Sequence, residues 1–152
     1  MWKAGAGTLT SMLPKILLAD DNPHNGLLMK EAFEEAGIPV EFSFARNGVE
    51  ALEMLGPDHA RPNLLILDLN MPRMSGDQVL KAVRSRPELE SLPTVMLTSS
   101  DRASDRRRCC AANGYFIKCI RWECYVELAR DLAKQMSRFL PGRAPPADIA
   151  PA

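Results

Sequence analysis

The sequence lacks the features that mark a membrane protein or a nucleic-acid-binding protein. Its 19 basic residues balance its 19 acidic residues, so no net charge favours nucleic acid or an anionic lipid surface. The first apolar run, at residues 16–19, is too short for a secretory signal, and no stretch approaches the length of a membrane span. We therefore predict a cytoplasmic protein that binds neither membranes nor nucleic acid.

Cysteine and histidine occur without the spacings that hold a structural metal. The two histidines stand alone, and none of the four cysteines is part of a C-x-x-C pair: Cys109, Cys110, Cys119 and Cys124. This pattern argues against a zinc site and against a disulfide framework. We predict free thiols in a reducing compartment.

A length of 152 residues fits a single domain with a sizeable core. Residues 1–14 show no clear period and are predicted to form an N-terminal tail. The folded domain is predicted at residues 15–140. Residues 141–152 are rich in proline and alanine, and we predict a disordered C-terminal tail.

Between these tails, strand-length apolar runs alternate with segments of helical spacing. Strands are predicted at 15–19, 40–45, 64–67, 94–97 and 114–117, and helices at 23–36, 48–55, 75–85, 101–113 and 121–140. Short uninterrupted apolar runs are typical of strands buried on both faces of a parallel sheet. The alternation predicts an α/β fold, a doubly wound five-stranded parallel sheet with helices on both faces.

Two of the predicted helices differ in how they would pack. The helix at 101–113 is weakly apolar, and its predicted inner face consists of Ala103, Cys110 and Ala111. The last helix carries an apolar stripe that is wider than one sheet face needs. We therefore predict a homodimer contact through the last helix.

Polar residues of matched chemistry stand at the carboxyl ends of four of the strands: Asp20 and Asp21, Asp68, Thr98, and Lys118. These strand ends meet at one edge of a parallel sheet, where α/β proteins place their sites. Three neighbouring carboxylates repel one another, which favours a bound cation, and an all-oxygen site suits Mg²⁺. A carboxylate beside a cation, an ammonium and a hydroxyl is equipped to accept a phosphoryl group.

These motifs resemble the receiver domains of two-component response regulators, over about residues 15–140. The resemblance rests on Asp20-Asp21, on the run from Asp68 to Gly76, on Leu97-Thr98-Ser99 and on Tyr115-Phe-Ile-Lys118. It implies the flavodoxin-like, CheY-like fold with strand order 2-1-3-4-5. One departure is that Cys119 follows Lys118, where the family usually has proline.

The resemblance also implies roles for individual residues. Asp68 would be the phosphoacceptor, and Mg²⁺ would be held by Asp20, Asp21, Asp68 and the backbone carbonyl of Asn70. Thr98 and Lys118 would contact the phosphoryl group. Thr98 would also act with the aromatic residue Tyr115 as a conformational switch.

The phosphoryl donor implied by the resemblance is a partner histidine kinase, and the single-domain layout is most similar to phytochrome-associated response regulators. The donor would then be a bacteriophytochrome kinase, and the downstream protein partner is unknown. The chain would not be an enzyme beyond its own phosphorylation and dephosphorylation. Two alternatives remain open: a receiver-like interaction module that is never phosphorylated, and an aspartyl-nucleophile phosphatase, which would want an aspartate where Asn70 stands.

Overall fold

The structure is a computed structural model that describes residues 13–138. Residues 1–12 and 139–152, which include most of the predicted N-terminal tail and all of the predicted C-terminal tail, lie outside the described residues.

Strands and helices alternate along the described chain, as the sequence predicts. They are β1 (Lys15–Ala19), α1 (Pro23–Glu35), β2 (Glu41–Ala45), α2 (Gly48–Met54), β3 (Leu64–Leu67), α3 (Gly76–Ser85), β4 (Thr94–Thr98), α4 (Ala103–Arg108), β5 (Gly114–Ile117) and α5 (Trp122–Arg138).

The strands form one parallel sheet in the order β2-β1-β3-β4-β5. This confirms the predicted fold class and strand order. Because every strand runs in the same direction, the carboxyl ends of β1, β3, β4 and β5 lie at one edge of the sheet. The registers pair Ala19 with Leu67, and Thr98 with Ile117, so these strand ends are nearly level.

Polar side chains define where the helices around that edge begin. Asn22 caps α1 by accepting a hydrogen bond from the backbone N–H of His24, and Pro23 occupies the first turn, where no N–H is needed. Asn47 caps α2 in the same way through the N–H of Glu50. Gly37 follows α1 with a φ of +72°, a conformation that glycine adopts without steric cost.

Apolar side chains bury both faces of the sheet. Phe33 of α1 and Leu132 of α5 pack on one face together with Ile66 of β3. Leu80 of α3 and Met96 of β4 belong to the core on the other face. The sheet is therefore a middle layer, and its central strands β1, β3 and β4 are buried almost throughout.

Helix α4 differs from its prediction. It ends at Arg108 instead of Asn113, and it contains no buried residue. The predicted inner-face residues Ala103, Cys110 and Ala111 are all exposed, whereas Cys109 is buried, so that prediction was wrong. The reason is that the N–H of Asn113 donates to the carbonyl of Thr94 in β4 at 2.6 Å, while the carbonyl of Cys109, its partner in a continued helix, accepts from the N–H of Ala112.

The apolar stripe of α5 is used largely within the chain itself. Its buried residues pack into the core on the α1 side: Tyr125, Leu128, Ala129, Leu132, Ala133 and Met136. Trp122 remains 39% exposed. The last two residues of the predicted helix, 139 and 140, lie outside the described residues.

The prediction that all four cysteines are free thiols was wrong. Cys119 and Cys124 form a disulfide, with their Cα atoms 5.7 Å apart, while Cys109 and Cys110 are free. The bond joins the end of β5 to the first turn of α5. Cysteine spacing alone could not reveal it, because the loop between the strand and the helix decides whether the two side chains meet.

Candidate functional site

Three carboxylates meet at the carboxyl edge of the sheet. One oxygen from each of Asp20, Asp21 and Asp68 lies within 4.8 Å of the others. Asp20 and Asp68 are each only 6% exposed, whereas Asp21 is open to solvent. Strand pairing continues into the site and fixes these positions, because the N–H of Asp68 donates to the carbonyl of Ala19 at 2.9 Å.

The Asp20 carboxylate is held by the beginning of α1. The backbone N–H of Asn22 donates to Asp20 Oδ1 at 2.9 Å, and the side-chain amide of Asn25 donates to Oδ2 at 3.1 Å. Asn25 is not among the site residues predicted from the sequence. Its position in the first turn of the helix that follows the acidic pair is the signal that could have revealed it.

The Asp68 carboxylate is positioned by the turn that follows β3. The N–H of Asn70 lies 3.4 Å from Asp68 Oδ1, and Gly76 packs directly against the backbone of Asp68. A Cβ at Gly76 would overlap the carbonyl oxygen of Asp68 and would lie 2.9 Å from the Cα of Leu69. Gly76 therefore lets α3 begin directly behind the acidic residue.

The ammonium of Lys118 joins two of the carboxylates. Lys118 Nζ lies 2.8 Å from Asp20 Oδ2 and 3.1 Å from Asp68 Oδ2. The backbone N–H of Lys118 donates to the carbonyl of Thr98 at 2.8 Å, which extends the β4–β5 pairing to the site. The Lys118–Cys119 peptide bond is trans.

Burial and neighbouring charges shift the pKa values of Asp68 and Lys118. Burial raises the pKa of Asp68, and the negative charge of Asp20 adds to this rise, while the nearby Lys118 opposes it. Burial also works against the charge of Lys118. Its hydrogen bond to Asp20 and the charges of Asp68 and Asp20 outweigh that effect, so the pKa of Lys118 is raised. The lysine therefore remains protonated, and the pocket favours added positive charge.

Thr98 and Tyr115 are linked to each other through Ser100. Thr98 is fully buried at the end of β4, and its hydroxyl accepts a 3.3 Å hydrogen bond from the N–H of Ser100. The hydroxyl of Tyr115 donates to the carbonyl of Ser100 at 2.8 Å. The guanidinium of Arg106 lies 4.5 Å from the centre of the Tyr115 ring. This contact connects α4 with β5, and the sequence analysis did not find it.

The donor set fits a hard divalent cation. The three carboxylates provide closely spaced oxygens, and only one ammonium compensates their charge. Asp21 is exposed, so a cation could keep several waters, as Mg²⁺ usually does. Asp20, Asp21 and Asp68 could therefore hold such an ion. The site combines a buried nucleophilic carboxylate with fixed positive charge, an arrangement suited to accepting a phosphoryl group.

Sequence comparison places this site in a known family. The model of the response regulator receiver domain matches residues 16–129. A probable methanogenesis regulatory protein, FilR2 of Methanothrix harundinacea, is 33% identical over 114 residues, which are 71% of this chain and 74% of that protein. Response regulator Rcp1 of Synechocystis is 34% identical over 95 residues, which are 59% of this chain and 65%, just under two thirds, of that protein.

Solved structures of response regulators also resemble this chain. The Mn²⁺-bound form of Rcp1 superposes with a TM-score of 0.73 and 28% identity, covering 88% of this chain and 99% of that one. The phosphorylated cyanobacterial phytochrome response regulator RcpA superposes with a TM-score of 0.75 and 28% identity, covering 89% of this chain and 99% of that one.

No helix in residues 13–138 is long and apolar enough to cross a membrane.

Proposed function

The chain belongs to the response regulator receiver domain family, and we propose that it is a phosphorylation-controlled switch with Asp68 as its phosphoacceptor. The observation that supports this best is the position of the Lys118 ammonium, 3.1 Å from Asp68 and 2.8 Å from Asp20. A lysine in this position supplies positive charge where the phosphoryl oxygens would lie. Asp21 is exposed, so the side of the pocket at Asp21 remains open to a phosphodonor.

The proposed reaction transfers a phosphoryl group from a phosphohistidine to Asp68. An oxygen of the Asp68 carboxylate forms the new bond to phosphorus while the bond between phosphorus and the histidine nitrogen breaks. The nitrogen leaves with the electron pair and is protonated by solvent. Lys118 stabilises the negative charge on the phosphoryl oxygens, and Asp20 keeps its ammonium in place.

We further propose Mg²⁺ as the cofactor, held by Asp20, Asp21, Asp68 and the backbone carbonyl of Asn70. A bound Mg²⁺ neutralises charge on the carboxylates and on the transferred group. The acidic cluster supports this assignment. No enzymatic turnover of other substrates is proposed, because Asn70 stands where an acid/base aspartate would be needed.

The switch that we propose passes from Asp68 through Thr98 to Tyr115. The Thr98 hydroxyl would move from its bond with Ser100 toward a phosphoryl oxygen, which removes a contact that holds the loop after β4. Tyr115 is bonded to the same residue, so its environment would change as well. Burial raises the pKa of the Tyr115 hydroxyl, and the group therefore stays a hydrogen-bond donor.

The proposed phosphodonor is a sensor histidine kinase that meets this protein in the cytoplasm, and the likeness to a phytochrome response regulator supports a bacteriophytochrome kinase. Leu27 of α1 is 51% exposed and Phe44 of β2 is 43% exposed, close to Asp20. Exposed apolar side chains beside the pocket are typical of a protein contact.

A homodimer through the region of the last helix is a further proposal, supported by the exposed Trp122. Light scattering at high concentration tests it, and a strictly monomeric mass would exclude it.

The test of the proposed function is the intact mass of the protein after incubation with acetyl phosphate and MgCl₂. Wild type should gain one phosphoryl group, and a chelator should prevent the gain. Asp68→Asn should gain none, whereas the control Asp58→Asn, in an exposed loop, should label as wild type does. Absence of labelling in wild type would favour the interaction module that is never phosphorylated.

A further inference from the structure

The Cys119–Cys124 disulfide lies next to the residue that completes the acidic pocket. Cys119 directly follows Lys118, whose ammonium contacts Asp20 and Asp68. Cys124 lies in the first turn of α5, one residue before the buried Tyr125. The bond therefore ties the backbone of the site lysine to a helix that is packed into the core.

Within the part of the chain that the structure describes, backbone hydrogen bonds restrain this loop only at its two ends. The Lys118 N–H donates to Thr98, and backbone hydrogen bonding resumes only where Cys124 and Tyr125 donate to the carbonyl of Arg121. Ile120, in the middle, is 98% exposed. The covalent link therefore adds to the packing of Cys119 against the core as a restraint on the segment between Lys118 and α5.

The two cysteine residues differ in their exposure to solvent. Cys119 is partly buried and packs against the core on the α5 side, whereas Cys124 is exposed. An external thiolate can therefore reach the sulfur of Cys124, and the sulfur of Cys119 becomes the leaving group. An exposed disulfide is open to exchange in a way that a buried structural disulfide is not.

We propose that Cys119 and Cys124 form a redox-active site that controls how firmly Lys118 is held at the phosphoacceptor. This inference rests on the proposed function, because the reaction that it modulates is phosphoryl transfer to Asp68. With the disulfide intact, the loop keeps the Lys118 ammonium between the two carboxylates. Reduction frees the loop, so Lys118 spends less time in that position and phosphoryl uptake slows.

The reductant is a low-molecular-weight thiol. Its thiolate attacks the Cys124 sulfur, the bond between the two cysteine sulfurs breaks, and Cys119 leaves as a thiolate. A second thiolate attacks the external sulfur of the mixed disulfide and releases Cys124. The two external thiols are oxidised to one disulfide, their two electrons reduce the cysteine pair, and their two protons end on Cys119 and Cys124.

The first step of the test counts thiols. Protein purified without reductant is denatured and alkylated, and its mass is compared with that of protein first treated with dithiothreitol. Two alkyl groups before reduction, on Cys109 and Cys110, and four after it are expected. Four groups before reduction would overturn the proposal.

The second step compares the oxidised and reduced forms of the folded protein. Exchange of the hydrogen-bonded amides at the two ends of the loop, those of Lys118 and Cys124, should become at least tenfold faster on reduction, and labelling by acetyl phosphate at least threefold slower. Cys119→Ser/Cys124→Ser should behave as reduced wild type whether or not dithiothreitol is present. Cys110→Ser, which changes an exposed free thiol, should keep the full redox response.

The exchange measurement separates this proposal from the proposed function. If neither redox form takes up phosphate, the phosphoacceptor assignment fails, and the exchange rates still decide whether the disulfide controls the Lys118 loop. Equal exchange in the two forms would overturn the redox proposal, even if both forms label normally.

Discussion

The two sides of the site are built on parts of the molecule that differ in packing. Asp20 and Asp68 follow β1 and β3, central strands that are buried almost throughout. Tyr115 belongs to β5, an edge strand that is only partly buried, and α4 beside it has no buried residue. Segments with few buried contacts open at lower free energy than the core does. The carboxylates thus sit on a rigid base, and Tyr115, the outer residue of the proposed switch, sits on a more weakly packed part of the molecule.

The strongest test of the rigid side is Gly76→Ala. The new Cβ would overlap the carbonyl oxygen of Asp68, and backbone atoms cannot move away as a flexible side chain can. We expect a loss of about 3 kcal/mol or more in the free energy of unfolding, measured with urea. Gly56→Ala is the control, since its nearest neighbour would be 3.1 Å away, and it should cost less than about 1 kcal/mol. Equal losses would contradict the rigid contact behind Asp68.

A second substitution, Lys118→Met, removes the link between the two sides. Asp20 and Asp68 would then lose their common cation in a partly buried pocket, and we expect a loss of about 2 kcal/mol in chelator. MgCl₂ should recover most of this loss, because a divalent cation replaces the missing charge. Lys81→Met, on the exposed surface of α3, should be neutral in both solutions. A loss unaffected by MgCl₂ would argue against a cation site.

The effect of pH tests the electrostatics of the carboxylate side. The pKa of Asp68 is raised in the folded protein, so its charged form destabilises the metal-free fold. In chelator, Asp68→Asn should therefore be more stable than wild type at neutral pH. This advantage should shrink as the pH falls through the titration of Asp68 and vanish where the carboxyl is protonated in both states. Urea unfolding across pH measures it, and an advantage that grows in acid would contradict the assignment.

The smallest effect on stability is expected from Arg106→Ala, in the weakly packed part formed by α4 and β5. Arg106 lies over the ring of Tyr115 and pairs with Asp101 at 2.9 Å, but its side chain is 47% exposed. The loss should be about 0.5–1 kcal/mol in the free energy of unfolding. Arg107→Ala, on the same helix and also exposed, is the control and should cost less. If the two variants lose the same amount, the contact with Tyr115 does not stabilise α4.

The features that the sequence predicts correctly lie mainly on the tightly packed side of the site, and the features that it does not predict lie mainly near α4 and β5. Apolar runs such as Leu64–Leu67 predict buried strands, and polar residues at their ends predict where the carboxylates meet. The length of α4 could not be predicted, since the pairing of Asn113 with Thr94 of β4 ends the helical pattern before it reaches that residue. The Cys119–Cys124 bond could not be predicted either, since the path of the loop between the two residues decides whether their side chains meet.

The most direct test of this account is hydrogen exchange with Mg²⁺ before and after addition of beryllofluoride, which mimics a phosphoryl group on a carboxylate. We expect the exchange rate to change severalfold in residues 98–118, while the amides of β1 and β3 keep their rates. No change anywhere, or an equal change in β1 and β3, would contradict the claim that a signal from Asp68 is carried by the weakly packed side of the sheet.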